Sequence, residues 1–235
     1  MRPGRLELTE QAAKVAKISK ACSVLEIGCG DGRSSLFLSK EYACKVVGID
    51  LLHKMIALAM KGAESEGLLD KVQFMVGDAM HIPFSDYSFD AVICEAVLSG
   101  LVDKEKAAEE CHRVLKSAGK LVVADFILRN DVTMELQCQM TTLPCAGAKR
   151  LEEYVSLFEK AGFQNPMIED HSEEMKKISF WIALNYGCVA KFFASIAGGI
   201  YFRKEDKPAS ISVEVYEQFF SQAMFGYSLL CLTKP

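Results

Sequence analysis

Two kinds of apolar pattern run along the chain. After a polar start, Ala12, Ala13, Val15, Ala16 and Ile18 recur on one side of a helix that Thr9 is placed to cap and that runs to about Ser19. Short apolar runs then alternate with helical stretches. Strands are predicted over 23–27, 45–49, 72–76, 89–94 and 121–126, and helices over 34–39, 52–66 and 104–115. Past Phe126 the pattern loosens. Residues 130–147 read as a loop with a short helix, 150–160 as a helix stopped at Ala161-Gly162, 163–168 as a sixth strand and 224–232 as a last one. Between those two strands, 171–223 read mostly helical.

Strands that alternate with helices imply a doubly wound α/β fold: a mostly parallel seven-stranded sheet, helices on both faces, and a helical insert before the last strand. Parallel strands covered on both sides read as continuous apolar runs, as the second, fourth and fifth do here. A length of 235 residues suits one domain over 1–235, with 171–223 as an insert or lid. In such sheets ligands bind beyond the carboxyl ends of the strands, so the residues there are the candidates for chemistry.

Composition narrows the class. The net charge is −4 and no Lys/Arg run occurs, so no nucleic acid is expected as a partner. The nine cysteines include no Cys-x-x-Cys pair, and several lie in apolar runs, the pattern of buried thiols in a reducing, cytoplasmic setting rather than of a disulfide framework or metal site. The N-terminus lacks the apolar stretch of a signal peptide. Residues 178–202 are apolar and aromatic, but Asn185, Lys191 and Gly198-Gly199 interrupt them, so no spanning segment is expected. A buried or amphipathic helical segment is the reading, with interfacial membrane contact as the alternative.

The strongest motif is Val24-Leu25-Glu26-Ile27-Gly28-Cys29-Gly30-Asp31-Gly32, a strand running into alternate glycines. Glycine lets the backbone turn sharply and approach a ligand, and the helix that follows offers free N–H groups. The dinucleotide fingerprint would want its third glycine where Arg33 stands. Glu26 would repel a pyrophosphate and instead suits a ligand with an ammonium group. Asp50 follows Gly28 by 22 residues at the end of the second strand, where a carboxylate can accept from both ribose hydroxyls. Asp78 ends the third strand and can accept from an exocyclic amine, while Met80 can pack on a flat ring. Cys94 and Glu95 end the fourth.

At these residues, from about Ser23 to Phe126, the chain resembles the class I S-adenosylmethionine-dependent methyltransferases, in particular the small-molecule, methyltransferase type 11-like group that includes quinone-biosynthesis enzymes. The resemblance implies S-adenosylmethionine as cofactor and a small-molecule methyl acceptor as partner. It implies that Glu26 and the loop Gly28, Cys29, Gly30 and Gly32 hold the methionine part. Asp50 would hold the ribose with Leu51 beside it, Asp78 and Ala79 the adenine edge, and Glu95 would border the methyl-transfer cleft. The start, Arg2-Pro3-Gly4, resembles a small group of bacterial methyltransferases and implies an N-terminal arm whose Arg2 meets the cofactor carboxylate. The chain departs from the family with Lys116-Ser117-Ala118-Gly119 before the fifth strand and with the long insert.

No residue stands out as a catalytic base; Glu95, Asp125 and His81 are the candidates. Of the other histidines, His112 lies within an amphipathic helix and reads as a surface or packing residue, His53 follows the second strand, and His171 sits in an acidic cluster of the solvated kind. Cys138 and Cys145 offer an alternative, because Cys145-Ala146-Gly147 before a helix resembles a segment of arsenite methyltransferases and thiolates bind soft ions. Two structural thiols is the bland reading. Phe180, Trp181, Tyr186, Phe192, Phe193, Tyr201 and Phe202 crowd the insert and suit a core, an apolar lid or a homodimer contact, in that order. A non-catalytic cofactor-binding module is the remaining alternative.

Overall fold

The computed structural model describes residues 3–140, 143, 145–196 and 211–235. The chain runs α1 (Arg5–Val15), β1 (Ser23–Ile27), α2 (Arg33–Tyr42), β2 (Lys45–Asp50), α3 (His53–Glu66), β3 (Val72–Val76) and β4 (Phe89–Glu95). It continues through α4 (Lys104–Val114), β5 (Leu115–Ile127), α5 (Met134–Gln139), α6 (Leu151–Lys160) and β6 (Gln164–Asp170). Helices α7 (Ser172–Tyr186), α8 (Val189–Ile196) and α9 (Val213–Ala223) then lead to β7 (Gly226–Thr233).

The seven strands form one sheet in the order β3-β2-β1-β4-β5-β7-β6. Pairs from β3 to β5 are parallel, and β7 runs antiparallel to both β5 and β6. Strand order therefore reverses between β1 and β4, and the carboxyl ends on either side of that point open the crevice where this class of sheet takes ligands. This is the doubly wound α/β fold expected.

Alternation along each strand sorts the core into two layers. Val24, Val46, Ile93 and Val122 face α1 and α2, meeting Leu8, Ala12 and Leu36. Leu25, Val92, Leu121 and Val123 face α4 and α6, meeting Ala107, Cys111, Tyr154 and Phe158. Between α5 and α9 a further cluster joins Leu136, Met140, Tyr216 and Phe219 beyond the end of β5.

Several predicted bounds move; the second helix extends over Arg33–Tyr42 and the sixth strand over Gln164–Asp170, and three further shifts have a clear cause. The first helix begins at Arg5 behind Gly4, so Thr9 lies inside it and caps nothing. Its hydroxyl answers a carboxylate across the fold, a reason for a mid-helix threonine that periodicity does not carry. The fifth strand begins at Leu115, because residues between Leu115 and Lys120 form an irregularity against β4 rather than a separate turn. The last strand begins at Gly226, since Met224 (φ 41°) takes a left-handed conformation at the end of α9.

The C-terminus is clamped. Lys234 is buried, and its ammonium donates to the carbonyls of His112 (2.7 Å) and Leu115 (2.8 Å) at the end of α4 while lying 3.9 Å from the centre of the Tyr87 ring. Lys234→Met keeps the stem and removes both charged hydrogen bonds. A loss of roughly 2 kcal/mol is expected, read as a lower urea midpoint at unchanged m-value.

Candidate functional site

The turn after β1 carries Gly28, Gly30 and Gly32 at φ 65°, 55° and 80°, all in the left-handed region. Their tasks differ. A Cβ at Gly28 would lie 2.4 Å from Val97 Cγ2, so the turn is pressed onto the chain leaving β4. A Cβ at Gly30 would meet nothing within 4 Å, so the middle of the loop faces open space where a ligand can come against backbone. The Cys29 N–H donates to the Ile49 carbonyl at 2.9 Å, joining the turn to β2. Cys29 itself is buried, and burial, aided by the charges of Glu26 and Asp50, pushes its thiol well above the ordinary range.

Asp50 is held from two sides. One oxygen accepts the Gly30 N–H and the other the Leu52 N–H at the start of α3, each at 2.9 Å. A carboxylate oxygen accepts more than one bond, so this fixed group can still receive a pair of hydroxyls. Leu51 beside it is half exposed. Asp78 accepts the Met80 N–H at 2.9 Å, and its backbone carbonyl accepts the His81 N–H at 3.0 Å, closing a tight turn after β3 in which Ala79 is buried.

That turn is braced by residues that sequence reasoning missed. Glu110 of α4 accepts the Ile82 N–H at 2.8 Å, and Arg113 donates to the carbonyls of Phe84 (2.7 Å) and Ile82 (2.9 Å). Arg113 also bonds Glu110 through two nitrogens, each at 2.8 Å, which holds the Glu110 carboxyl below the usual range. Glu110 and Arg113 lie three apart on a helix, a local signal of an ion pair, but nothing local says that the pair reaches a loop almost thirty residues away.

Two acids stand at the ends of neighbouring strands. Glu26 on β1 is buried and accepts from the Ser35 hydroxyl of α2. Glu95 on β4 is buried and accepts from the Thr9 hydroxyl of α1, with Oε1 at 3.2 Å and Oε2 at 3.3 Å. Glu26 pairs in register with Ile93, and Glu95 lies two residues beyond it, so both acids share the α1/α2 face of the sheet.

Asp125 lies elsewhere. It alternates with Val123, which faces α4 and α6, and is 1% exposed. Its oxygens accept the Ser99 hydroxyl at 2.6 Å and the N–H groups of Ser99 (3.1 Å) and Phe126 (2.7 Å). Burial raises its pKa while these hydrogen bonds oppose the rise. His81 points outward, its side chain 78% exposed. Arg2, Tyr201 and Phe202 fall outside the described residues, as does the side chain of Cys138. Cys145 is buried and its thiol is pushed up to about 12, so it is not a ready thiolate. Among the described residues no cluster of three metal-ligating side chains occurs. The arsenite alternative thus finds no support.

A cavity of about 410 Å³ opens beside the start of α4, lined by Lys104, Glu105, Asp131, Lys149, Arg150 and Glu153 among others. It includes none of the glycine turn, Asp50 or Asp78, and Arg150 within it is already paired with Asp131 at 2.6 Å. No helix among the described residues is long and apolar enough to cross a membrane.

A glycine turn after β1, a carboxylate held by backbone at the end of β2 and buried acids at the same edge of the sheet mark this as a doubly wound α/β protein with a built site at its carboxyl edge. The comparisons give that class its family. A family model described as a methyltransferase domain matches residues 25–123. The methyltransferase GfsG of Streptomyces halstedii is 31% identical, over 97% of this chain and 80% of that protein. Among solved structures, the [4+2]-cyclase SpnF matches with a TM-score of 0.72 and 25% identity, over 98% of this chain and 80% of its own. Phosphoethanolamine N-methyltransferase 2 of Haemonchus contortus, solved with S-adenosyl-L-methionine, matches with a TM-score of 0.77 at 20% identity, over 100% of this chain and 54% of its own. The chain belongs to the class I S-adenosylmethionine-dependent methyltransferase family, whose cofactor is S-adenosylmethionine.

The placement of Asp125 gives a test. Asp125→Asn puts an amide donor where N–H donors now point. A loss of about 1–3 kcal/mol in stability is expected on denaturant unfolding, with S-adenosylmethionine affinity unchanged in calorimetry. A variant that keeps its stability but loses the cofactor would show that Asp125 serves the cleft after all.

Proposed function

We propose that this protein transfers a methyl group from S-adenosylmethionine to a small-molecule acceptor. The observation that carries the reading is the Asp50 carboxylate, pinned by the Gly30 and Leu52 N–H groups beside open space over Gly30. In this reading Glu26 and the Gly28, Cys29, Gly30 and Gly32 turn take the methionine part. Asp50 takes the ribose hydroxyls with Leu51 alongside, Asp78 and Ala79 the adenine edge, and Met80 the ring face. Glu95 borders the transfer cleft.

When bound, the cofactor supplies a sulfonium methyl that an acceptor lone pair takes as the carbon–sulfur electrons return to sulfur. What this chain contributes is alignment, which alone can lower such a barrier by several kcal/mol. Of the three candidate bases, His81 is turned to solvent and Asp125 is engaged on the α4/α6 face, which leaves Glu95, itself buried and accepting from the Thr9 hydroxyl. The reading therefore favours an acceptor atom that needs little deprotonation. The cluster that joins α5 to α9 beyond β5 supports an apolar roof over the acceptor, to which α8 and α9 of the insert contribute.

A second reading is a cofactor-binding module without methyl transfer, favoured by the likeness to a [4+2]-cyclase. Calorimetry separates the first step. Wild-type protein is expected to bind S-adenosylmethionine at a micromolar order of affinity, and Asp50→Ala to lose about a hundredfold or more. Wild type that binds none of it sinks both readings. Binding without label transfer from methyl-labelled cofactor to any of a broad acceptor panel favours the second.

A further inference from the structure

Lys104 opens α4 and is buried, 6% exposed, yet its ammonium has a single hydrogen-bond acceptor among the described residues, the Leu101 carbonyl at 2.7 Å. No carboxylate among those residues forms an ion pair with it. An ammonium carries three donors, so two remain for another partner. Burial lowers the Lys104 pKa, Asp125 opposes that shift, Lys149 adds to it and Glu105 opposes it. Gly147 explains how the ammonium reaches open space. A Cβ there would lie 2.9 Å from Lys104 Nζ and 2.5 Å from the Ser99 carbonyl oxygen, so bare backbone borders the ammonium. Both residues line the cavity of about 410 Å³ beside the start of α4, a size within the roughly 300–1,000 Å³ of small-molecule sites.

Lys149 lines the same cavity, half-buried, and it too has no carboxylate partner among the described residues. The acids of the wall are engaged elsewhere or turned outward. Asp131 takes two Arg150 nitrogens at 2.9 and 2.6 Å, and Glu153 accepts the Arg150 backbone N–H at 2.8 Å. Glu105 is exposed and pairs with neither lysine.

We propose that this cavity is a phosphate-binding site, separate from the glycine turn and Asp50, in which Lys104 and Lys149 hold a phosphate group, free or carried by a small molecule. Two ammonium groups that repel each other at one cavity leave a place where an anion stabilises both. A phosphate group carries about −1.5 to −2 near neutral pH and so matches two lysines. The net charge of −4 gives the chain no general attraction for anions, so such binding has to be local. The inference uses no residue of the cofactor reading and stands or falls apart from it.

The full chain is titrated with inorganic phosphate at low ionic strength and followed by phosphorus NMR, for wild type, Lys104→Met, Lys149→Met and Lys61→Met. Lys61 lies on α3 outside the cavity and controls for the loss of one positive charge. Wild type is expected to bind at a millimolar order of affinity, each cavity variant about tenfold or more weakly, and Lys61→Met within about twofold of wild type. Should Lys104→Met not fold, Lys149→Met alone decides. Wild type that binds no phosphate overturns the proposal, as does binding that Lys149→Met leaves unchanged or that Lys61→Met weakens as much. Phenyl phosphate separates the two sources once phosphate binds. If it is held and depends on the same lysines, the occupant is a larger phosphorylated molecule; if it is excluded while phosphate is held, the occupant is the free ion.

Discussion

The Asp50 carboxylate bridges two backbones, the Gly30 N–H of the turn after β1 and the Leu52 N–H that opens α3. Other parts of the carboxyl edge take their geometry from that bridge. It draws the glycine turn against β2, and the Cys29 to Ile49 hydrogen bond completes the join. With the turn so held, Gly28 can lie against Val97 and couple β1 to the chain leaving β4. A charge that would cost several kcal/mol if left unpaired in a partly buried place becomes a structural tie.

The same edge carries several acids at or near strand ends, and the sheet separates them. Glu26 and Glu95 lie on the face covered by α1 and α2, where the Ser35 and Thr9 hydroxyls meet them. Asp125 lies on the opposite face, where Ser99 satisfies it. Buried carboxylates are tolerated only with such donors. The donors differ in kind. Two come from helices that cover one face of the sheet, and one comes from the short segment after β4, so the first two acids are tied to α1 and α2 and the third to the opposite face beneath α4.

Much of the fold was legible along the chain. The β1 and β3 runs, at 23–27 and 72–76, have in the fold the bounds their pattern predicts, because both are short, apolar and flanked by turn residues. The long β5 was read short, since Lys116, Ser117 and Gly119 look like a turn until their pairing beside β4 is seen. Thr9 was read as a cap because serine and threonine before an apolar helix usually are. The glycine turn and Asp50 were legible because their task depends on local backbone and on a fixed distance along one β–α–β unit.

By itself, then, the sequence determined the strand set and its mostly parallel character, because short apolar runs, the helices between them and glycine turns are properties of neighbours in the chain. Only the tertiary structure decided which acids share a face and what holds each one. Ser35 lies nine residues from Glu26, within one strand–turn–helix unit, whereas Thr9 lies 86 from Glu95 and Glu110 lies 28 from the loop it braces. Such bonds form when separate elements pack on a common sheet, and a hydroxyl or carboxylate that makes one has the same local surroundings in the chain as one that faces water.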